Sequence, residues 1–487
     1  MTGSLNIADR HSRQATGLGD GFGLTVRVIT GPLPTVADEQ LAACLINLLC
    51  RMVGTVAAID LRADDATLGV PLPNGVGVGP AFERLQALAN WVVGDAVPVL
   101  SNVKADRTFT ISLDRTVPEE DCDLYVAGLG WLACVGTSPP KRQNADPQNP
   151  IGAFFAASLA AGEVFKRARG LTGRGTFAAN HGYGLWDGTT GPLDDLRDGP
   201  LLNQCSIDPL YLVGAGAVGQ GIIVLLGASQ IETFAVTIDD DIHDDTNLNR
   251  CFVAGIDDID DPKIEAVARF RQLAGIKGTE FRGTLQQFLR NGPTAGMPMT
   301  LREQQQQDKF GLIVSAVDKN TSRRDIAGLA PAVVVGGSTD QLTAKAMTYE
   351  QSANGPCLAC FNPAEEEGDR RRQLEQQIRG MAEEGARTFL ATMDIASDEI
   401  QAVIAYVRDA PGCGSVGERV LGGLATSSPR EFSVSFVSMA AAVFAFTRLI
   451  QASSGCGSRK TMSSFNFRKL SYSDDGLPVE VNCAYCF

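Results

Sequence analysis

Apolar and polar positions follow two regimes along the chain. From about residue 204 onward, short apolar runs alternate with helical patterns: LYLVGAG at 210–216, a helix from about Gly219 to Leu226, FAVTIDDD at 234–241, a helix around Lys263 to Ala274, GLIVSAVD at 311–318 and AVVVGGS at 332–338. Brief apolar runs that each give way to a helix predict a mostly parallel sheet covered by helices on both faces, an α/β fold. Before residue 204 the pattern is less regular. LYVAGLGWLACVG at 124–136 reads as one strand-like run, and NPIGAFFAASLAAGEVFKRARG at 149–170 as a helix of small residues. The second half closes in a similar way with EFSVSFVSMAAAVFAFTRLI at 431–450. The pair hints at a degenerate internal duplication, although any buried helix can share this composition.

The polar stretch GPLDDLRDGPLLNQ at 191–204 separates the two regimes and divides the chain into 1–203 and 204–487. Two domains are what 487 residues lead one to expect. A second composition shift runs from about 364 to 410, where EEEGDRRRQLEQQIRGMAEEGARTFLATMD is highly charged and favours helix. It reads as a helical insertion lying over the site, and a solvated helix pair has the same composition.

A net charge of -14 argues against an extended nucleic-acid footprint and favours a protein or small-molecule partner. The opening MTGSLNIADRHSRQ lacks the apolar stretch of a signal peptide, and no later run approaches twenty apolar residues without a charge. A cytoplasmic chain with no membrane partner is expected. Twelve cysteines dispersed through so long a chain point to metal or thiol chemistry rather than disulfides.

YLVGAGAVGQ at 211–220 spaces Gly214, Gly216 and Gly219 as GxGxxG. Glycine permits the tight turn, the backbone can approach phosphate, and the following helix presents unpaired N–H groups. Asp239, about twenty residues on, ends the next strand, where a carboxylate can bond ribose hydroxyls. NAD and ATP both carry ribose, so these residues alone leave the nucleotide open. The continuation favours ATP: Asn247, Asn249 and Arg250 in NLNR, Lys263, and Asp318 with Arg323 add cations and a further carboxylate. Cleavage of a phosphoanhydride needs both, whereas hydride transfer has little use for them.

In order and rough spacing, GAGAVG, the D-x-D of Asp239 and Asp241, NLNR, Pro262-Lys263 and the D-x4-R of Asp318 and Arg323 resemble the ubiquitin-activating enzyme superfamily, which includes the bacterial ThiF and MoeB adenylating proteins. The resemblance implies a Rossmann-like adenylation domain over 204–487, and it implies ATP and Mg2+. Asp239 would bind ribose, Asn249, Arg250 and Lys263 the triphosphate, and Asp318 the Mg2+. The family usually reads D-N where this chain has Asp318-Lys319-Asn320. The implied substrate is the C-terminal carboxylate of a ubiquitin-like protein, which becomes an acyl-adenylate.

Cys357 and Cys360 in PCLACF, with Cys483 and Cys486 in NCAYCF, form two CxxC pairs, the spacing of a structural zinc site with four thiolates. Cys413 stands apart between glycines in APGCGSVG. By resemblance it takes the activated carboxylate as a thioester for transfer to a ubiquitin-conjugating-like enzyme; in MoeB-type members it would be a bystander. The seven other cysteines, Cys44, Cys50, Cys122, Cys134, Cys205, Cys251 and Cys456, read as small core residues, Cys251 standing beside the phosphate-side arginine. DRHSRQ at 9–14 resembles the RYSRQ of many members, whose arginine crosses a dimer interface, so Arg13 is a candidate contact to ATP. An arginine in the first half and a full nucleotide site in the second fit a fused pair in which 1–203 is an inactive adenylation-like half. Association of two chains into a homodimer stays open. With no ubiquitin-fold domain after the second CxxC, the arrangement is similar to the activating enzymes of bacterial ubiquitination-like defence operons. Adenylation for sulfur transfer without a thioester, and ATP binding without turnover, are the competing readings.

Overall fold

The computed structural model describes residues 23–487 apart from 64–65, 76, 116–121, 172–180, 292–295, 308, 351–355, 363–366, 394, 396, 409–419, 421–432, 456–460, 477–482, 484 and 486–487. Among the described residues, sixteen strands build two eight-stranded sheets, and Thr67–Leu68 pairs with Gly79–Pro80 in a small two-stranded one. In the first are β1 (Leu24–Ile29), β2 (Val56–Arg62), β3 (Val99–Leu100), β4 (Thr108–Ser112), β5 (Leu124–Leu129), β6 (Leu132–Gly136), β7 (His181–Gly184) and β8 (Thr189–Pro192). Their spatial order is β3-β2-β1-β4-β5-β6-β7-β8. The first five run parallel, and the last three return antiparallel.

The second sheet repeats that plan strand for strand. It contains β9 (Leu210–Val213), β10 (Phe234–Asp239), β11 (Lys277–Arg282), β12 (Leu312–Ser315), β13 (Val333–Asp340), β14 (Thr343–Glu350), β15 (Met462–Asn466) and β16 (Ser471–Asp475). Their order is β11-β10-β9-β12-β13-β14-β15-β16, again with five parallel strands followed by three antiparallel ones. A central strand flanked by crossovers to both sides is the doubly wound α/β arrangement.

The helices repeat as well. α1 (Val36–Cys50) follows β1 and α2 (Ala81–Val93) follows β2, while α3 (Ile151–Ala168) joins β6 to β7. In the second half the same places are taken by α4 (Ala217–Ser229), α5 (Lys263–Leu273) and a long helix, Ser435–Ser453. Three short helices, α6 (Leu285–Asn291), α7 (Met299–Gln306) and α8 (Asn320–Gly328), are described in the second half alone. The helix Ser435–Ser453 is long and apolar enough to cross a membrane, with a mean hydropathy of 1.4, yet it is 94% buried and serves as a core helix. It packs on α4, β13 and β14, as α3 packs on α1, β5 and β6, and the two long helices pack on each other. Phe155 meets Phe444 at 5.0 Å between ring centres, and Phe165 meets Phe436 at 5.6 Å, so one apolar core runs through both halves.

Residues Asn362–Glu431 form a second compact unit. It holds α9 (Glu367–Gly380), α10 (Glu383–Ala391) and α11 (Ser397–Arg408) around a small core of Ile378, Leu390, Val403 and Ile404. The long helix Ser435–Ser453 is α12 in chain order.

The run at 124–136 is a hairpin rather than one strand, turning at Gly130 with φ +66°. Both of its strands are buried on both faces, so no alternation marks the turn. α3 begins directly on this hairpin. A Cβ at Gly128 would lie 2.3 Å from Ala153 Cα, and one at Gly152 would lie 2.2 Å from the Leu132 carbonyl oxygen. Backbone meets backbone here, so neither contact can relax by a side-chain turn. Gly128→Ala is expected to cost about 3 kcal/mol through overpacking, read as a lower urea midpoint at unchanged m-value; an unchanged midpoint would show that the hairpin and helix can part.

Candidate active site

β9 ends at Val213 and turns into α4 through Gly214, Ala215 and Gly216. Gly214 has φ +102°, and a Cβ there would sit 2.6 Å from the Ala316 carbonyl oxygen. A Cβ at Gly219 would fall 2.0 Å from the Gly214 carbonyl oxygen, so the first turn of the helix presses on the loop. Gly216 is different: a Cβ there meets nothing within 4 Å. The middle glycine has no packing reason, and its backbone faces open space at a helix N-terminus, where N–H groups are unpaired.

Asp239 closes β10 and ties this loop down. Its Oδ2 accepts from Ala215 N at 2.6 Å and its Oδ1 from Asp241 N at 2.8 Å. Burial raises its pKa against these two donors. Asp241 in turn pairs with Lys263, the first residue of α5. Desolvation alone would raise the Asp241 pKa, but the bond and charge of Lys263 win and lower it, with Lys319 adding to the effect. Lys263 is itself mostly buried, and Cys251, Asp241 and Asp239 hold its pKa up against burial. Asp239, Asp241, Lys263 and Lys319 therefore share one electrostatic neighbourhood.

Asn247, Asn249 and Arg250 lie on the irregular segment between β10 and α5. Asn249 is fully buried and donates to the Ser433 carbonyl at 2.7 Å. Arg250 donates to the Thr246 carbonyl and to Asn249 Oδ1, both at 2.8 Å, so it folds along its own loop. Asp318 is exposed three residues past the end of β12, next to β9 in the sheet. Arg323 fixes the turn that carries it, donating to the Val317 carbonyl and to Asn320 Oδ1, each at 3.1 Å. Asn320 thus has a structural partner at the start of α8.

Two residues without a sequence assignment hold the loops together. Gln220 is fully buried in α4; its Nε2 donates to the Ala215 carbonyl at 3.0 Å and its Oε1 accepts from Val253 N at 3.0 Å. Both backbone bonds fix the amide orientation, so the same Nε2, 3.0 Å from His243 Nε2, donates to it. The proton of the imidazole then resides on Nδ1, which has no partner among the described residues. The signal for Gln220 was a lone amide just inside an otherwise apolar helix.

Cys357, Cys360 and Cys483 bring their sulfurs within 4.8 Å of one another. Cys357 stands 3.8 Å from Cys360 and 3.5 Å from Cys483. Four thiolates at about 2.3 Å from a tetrahedral zinc are about 3.8 Å apart, so the three sulfurs are spaced as corners of such a site. Tyr485 lies beneath Arg324 of α8 at 5.1 Å, which seats it beside the helix that follows Asp318. Cys413, Arg13, Cys456 and Cys486 fall outside the described residues. Among the remaining cysteines, Cys44, Cys50, Cys134 and Cys251 are buried, whereas Cys122 and Cys205 are only half-buried. Burial pushes Cys50 and Cys134 up to about 12, which leaves them unreactive thiols.

The profile of the ThiF family matches residues 209–478, more than half of the chain. The chain belongs to the ThiF family. No curated protein sequence matches it. Solved structures similar to it include E. coli MccB with ATP, at 13% identity and a TM-score of 0.37, covering 58% of this chain and 68% of that one. E. coli MccB with succinimide is similar at 14% identity and TM-score 0.37, covering 59% and 69%. Likenesses so remote assign no substrate.

Only the second half carries the ThiF match, and strand register shows what stands at equivalent places in the first. Ile29 pairs with Arg62 and Ser112 just as Val213 pairs with Ile238 and Ser315. Directly after these strands Thr30 stands in place of Gly214 and Ala63 in place of Asp239, and Arg115 lies three residues past its strand as Asp318 does; the loop into α1 is longer, and its N-cap is Thr35 where that of α4 is Gly216. The helix N-terminus is filled from within. Thr35 accepts from Asp38 N at 3.2 Å, and the Asp38 carboxylate, bonded to Arg115 at 3.2 Å, occupies the first turn of α1. A carboxylate already placed there repels any incoming phosphate.

His243 supplies a test of the ThiF site's interior. Burial first, and the charge of Lys263 second, lower its pKa to about 4. The unfolded chain takes up that proton near pH 6.5, so this term leaves stability intact above pH 6.5 and erodes it as pH falls toward 4, by about 3 kcal/mol in all. Urea unfolding of the wild type and His243→Gln from pH 4 to 8 should give a difference that is flat above pH 6.5 and shifts in the variant's favour below it. A difference independent of pH would mean that the imidazole is not held neutral.

Proposed function

We propose that this ThiF-family chain activates the C-terminal carboxylate of a ubiquitin-like protein with ATP. The observation that carries the reading is the asymmetry of the two halves: after its central strand one half has an open glycine loop tied by Asp239, with the Asp241–Lys263 pair beside that carboxylate, while the helix N-terminus of its twin is capped by Thr35. Asp239 would take the ribose, Asn247, Arg250 and Lys263 would hold the triphosphate, and Asp318 would hold Mg2+, which neutralises charge on the phosphates when bound. Asn249, fully buried and bonded to the Ser433 carbonyl and to Arg250, would support Arg250 rather than touch phosphate. Arg13 would add a cation from the first half, which we read as the inactive partner. A carboxylate oxygen of the substrate attacks the α-phosphorus, the bond to the β-phosphate breaks, and pyrophosphate leaves. Positioning and cationic stabilisation carry this step.

In the finer reading, the Cys413 thiolate then attacks the acyl carbon, a C–S bond forms and AMP leaves, and the thioester passes to a conjugating partner. Glycines on both sides of Cys413 support it. Mixing the protein with MgATP and a small ubiquitin-like protein should give pyrophosphate release that falls at least about a hundredfold in Asp318→Ala. Intact mass without reductant should show a thiol-reversible adduct that Cys413→Ala loses while keeping adenylation. Pyrophosphate release with no adduct in the wild type would place the chain with adenylases that make no thioester, and ATP binding with no release at all would leave a scaffold.

Zinc held by Cys357, Cys360, Cys483 and Cys486 would pin the end of the chain to α8, next to the turn of Asp318. Purified protein is expected to retain one zinc per chain by elemental analysis, and Cys357→Ser to lose it together with thermal stability. Metal-free protein of unchanged melting temperature would contradict the assignment.

A further inference from the structure

Arg51 belongs to the first half, at the C-terminal end of α1, and it is 0% exposed. Its Nε donates to Asn47 Oδ1 at 2.6 Å, while Nη1 donates to the Leu248 carbonyl at 2.7 Å. Nη2 donates to the carbonyls of Phe252 at 3.1 Å and Ala254 at 3.0 Å. Asn47 Nδ2 adds a bond to the Phe252 carbonyl at 3.3 Å. All three carbonyls lie on the segment that carries Asn249 and Arg250. Backbone oxygens and one amide receive the guanidinium; the carboxylate whose charge acts on it, Asp258, is bonded to Arg269. Burial lowers the Arg51 pKa to about 10 and leaves it charged at neutral pH.

A buried cation with no carboxylate partner among the described residues is a costly way to fasten two pieces of chain, for which apolar packing would serve. What the guanidinium supplies instead is direction. Its planar fork reaches carbonyls at both ends of one turn, and its charge stands behind the loop that faces the phosphates.

We propose that Arg51 is a positioning residue of the nucleotide site: the first half, whose own site is closed, sets the phosphate-side loop of the second half through this one side chain. The proposal rests on the ATP reading above. It makes 1–203 a working part of the site through a residue in the described core, independent of Arg13.

The test is calorimetric titration of the full chain with the magnesium complex of a non-hydrolysable ATP analogue, and separately with adenosine. In Arg51→Lys, which keeps the charge and loses the fork, the Kd for the analogue should rise about tenfold or more, while that for adenosine stays within about twofold. Asn47→Ala, which removes the Nε anchor and the Phe252 contact, should show the same selectivity on a smaller scale. A residue that merely holds the fold would weaken both ligands together or lower the melting temperature alone. Equal losses for both ligands, or unchanged affinities in both folded variants, would overturn the proposal. A wild type that binds adenosine and the analogue equally, or neither, would instead sink the ATP reading, and this proposal with it.

Discussion

Helices α3 and α12 have no polar face to turn to water, and this constraint organises the molecule. Their polar side chains are satisfied locally: Ser158 donates back to the Phe154 carbonyl at 2.9 Å, Thr447 to that of Val443 at 2.9 Å, and Arg448 reaches Ser463 and Asp474. A helix apolar all round is stable only when surrounded. Each covers one side with its own sheet and must find other helices for the rest, and each finds the other together with α1 or α4. Because one core serves both halves, neither can be removed without exposing a buried helix of its twin.

On this shared scaffold the two halves diverge through very few atoms. Both place a helix N-terminus after a central strand, and both leave the first-turn N–H groups in need of acceptors. In the first half the Thr35 hydroxyl accepts from Asp38 N and the Pro147 carbonyl from Ala37 N. In the second, the N-cap is Gly216, which offers no side-chain acceptor and faces open space. Binding capacity follows from which side chains cap a helix, with the sheet unchanged.

This explains what could be read along the chain. The second half was legible because its strands are short apolar runs separated by helices of clear period, and because the glycine loop, Asp239 and Asp318 sit at or just past strand ends and Lys263 at a helix start, where sequence position fixes spatial position. Helices 217–229 and 263–273 lie within a few residues of where periodicity puts them. The matching topology of the first half showed in the sequence only through its paired small-residue helix and the resemblance at Arg13, since glycine spacing is the stronger cue and Thr30-Gly31-Pro32 lacks it. The hairpin at 124–136 hid for another reason: doubly buried strands carry no alternation. Gln220, His243, Asn47 and Arg51 escaped because their roles depend on partners between 23 and more than 200 residues away. Sequence shows only that each is a polar residue in apolar surroundings, which is what a satisfied core residue also looks like.

Those four residues share a physical logic. A loop that is to stabilise developing charge has to be held before the ligand arrives, because dipoles that must first reorient give back what they gain. Packing alone fixes position poorly for an irregular segment with its carbonyls turned inward, so directional bonds take over: Gln220 from α4 fixes Ala215 and Val253, and Arg51 from α1 fixes Leu248, Phe252 and Ala254. His243 completes the set with an Nδ1 left without a described partner. A buried donor without an acceptor costs about 1–3 kcal/mol. Groups so costly to bury, brought from α1, α4 and the segment itself onto the one stretch between β10 and α5, are what fixes that irregular segment in place.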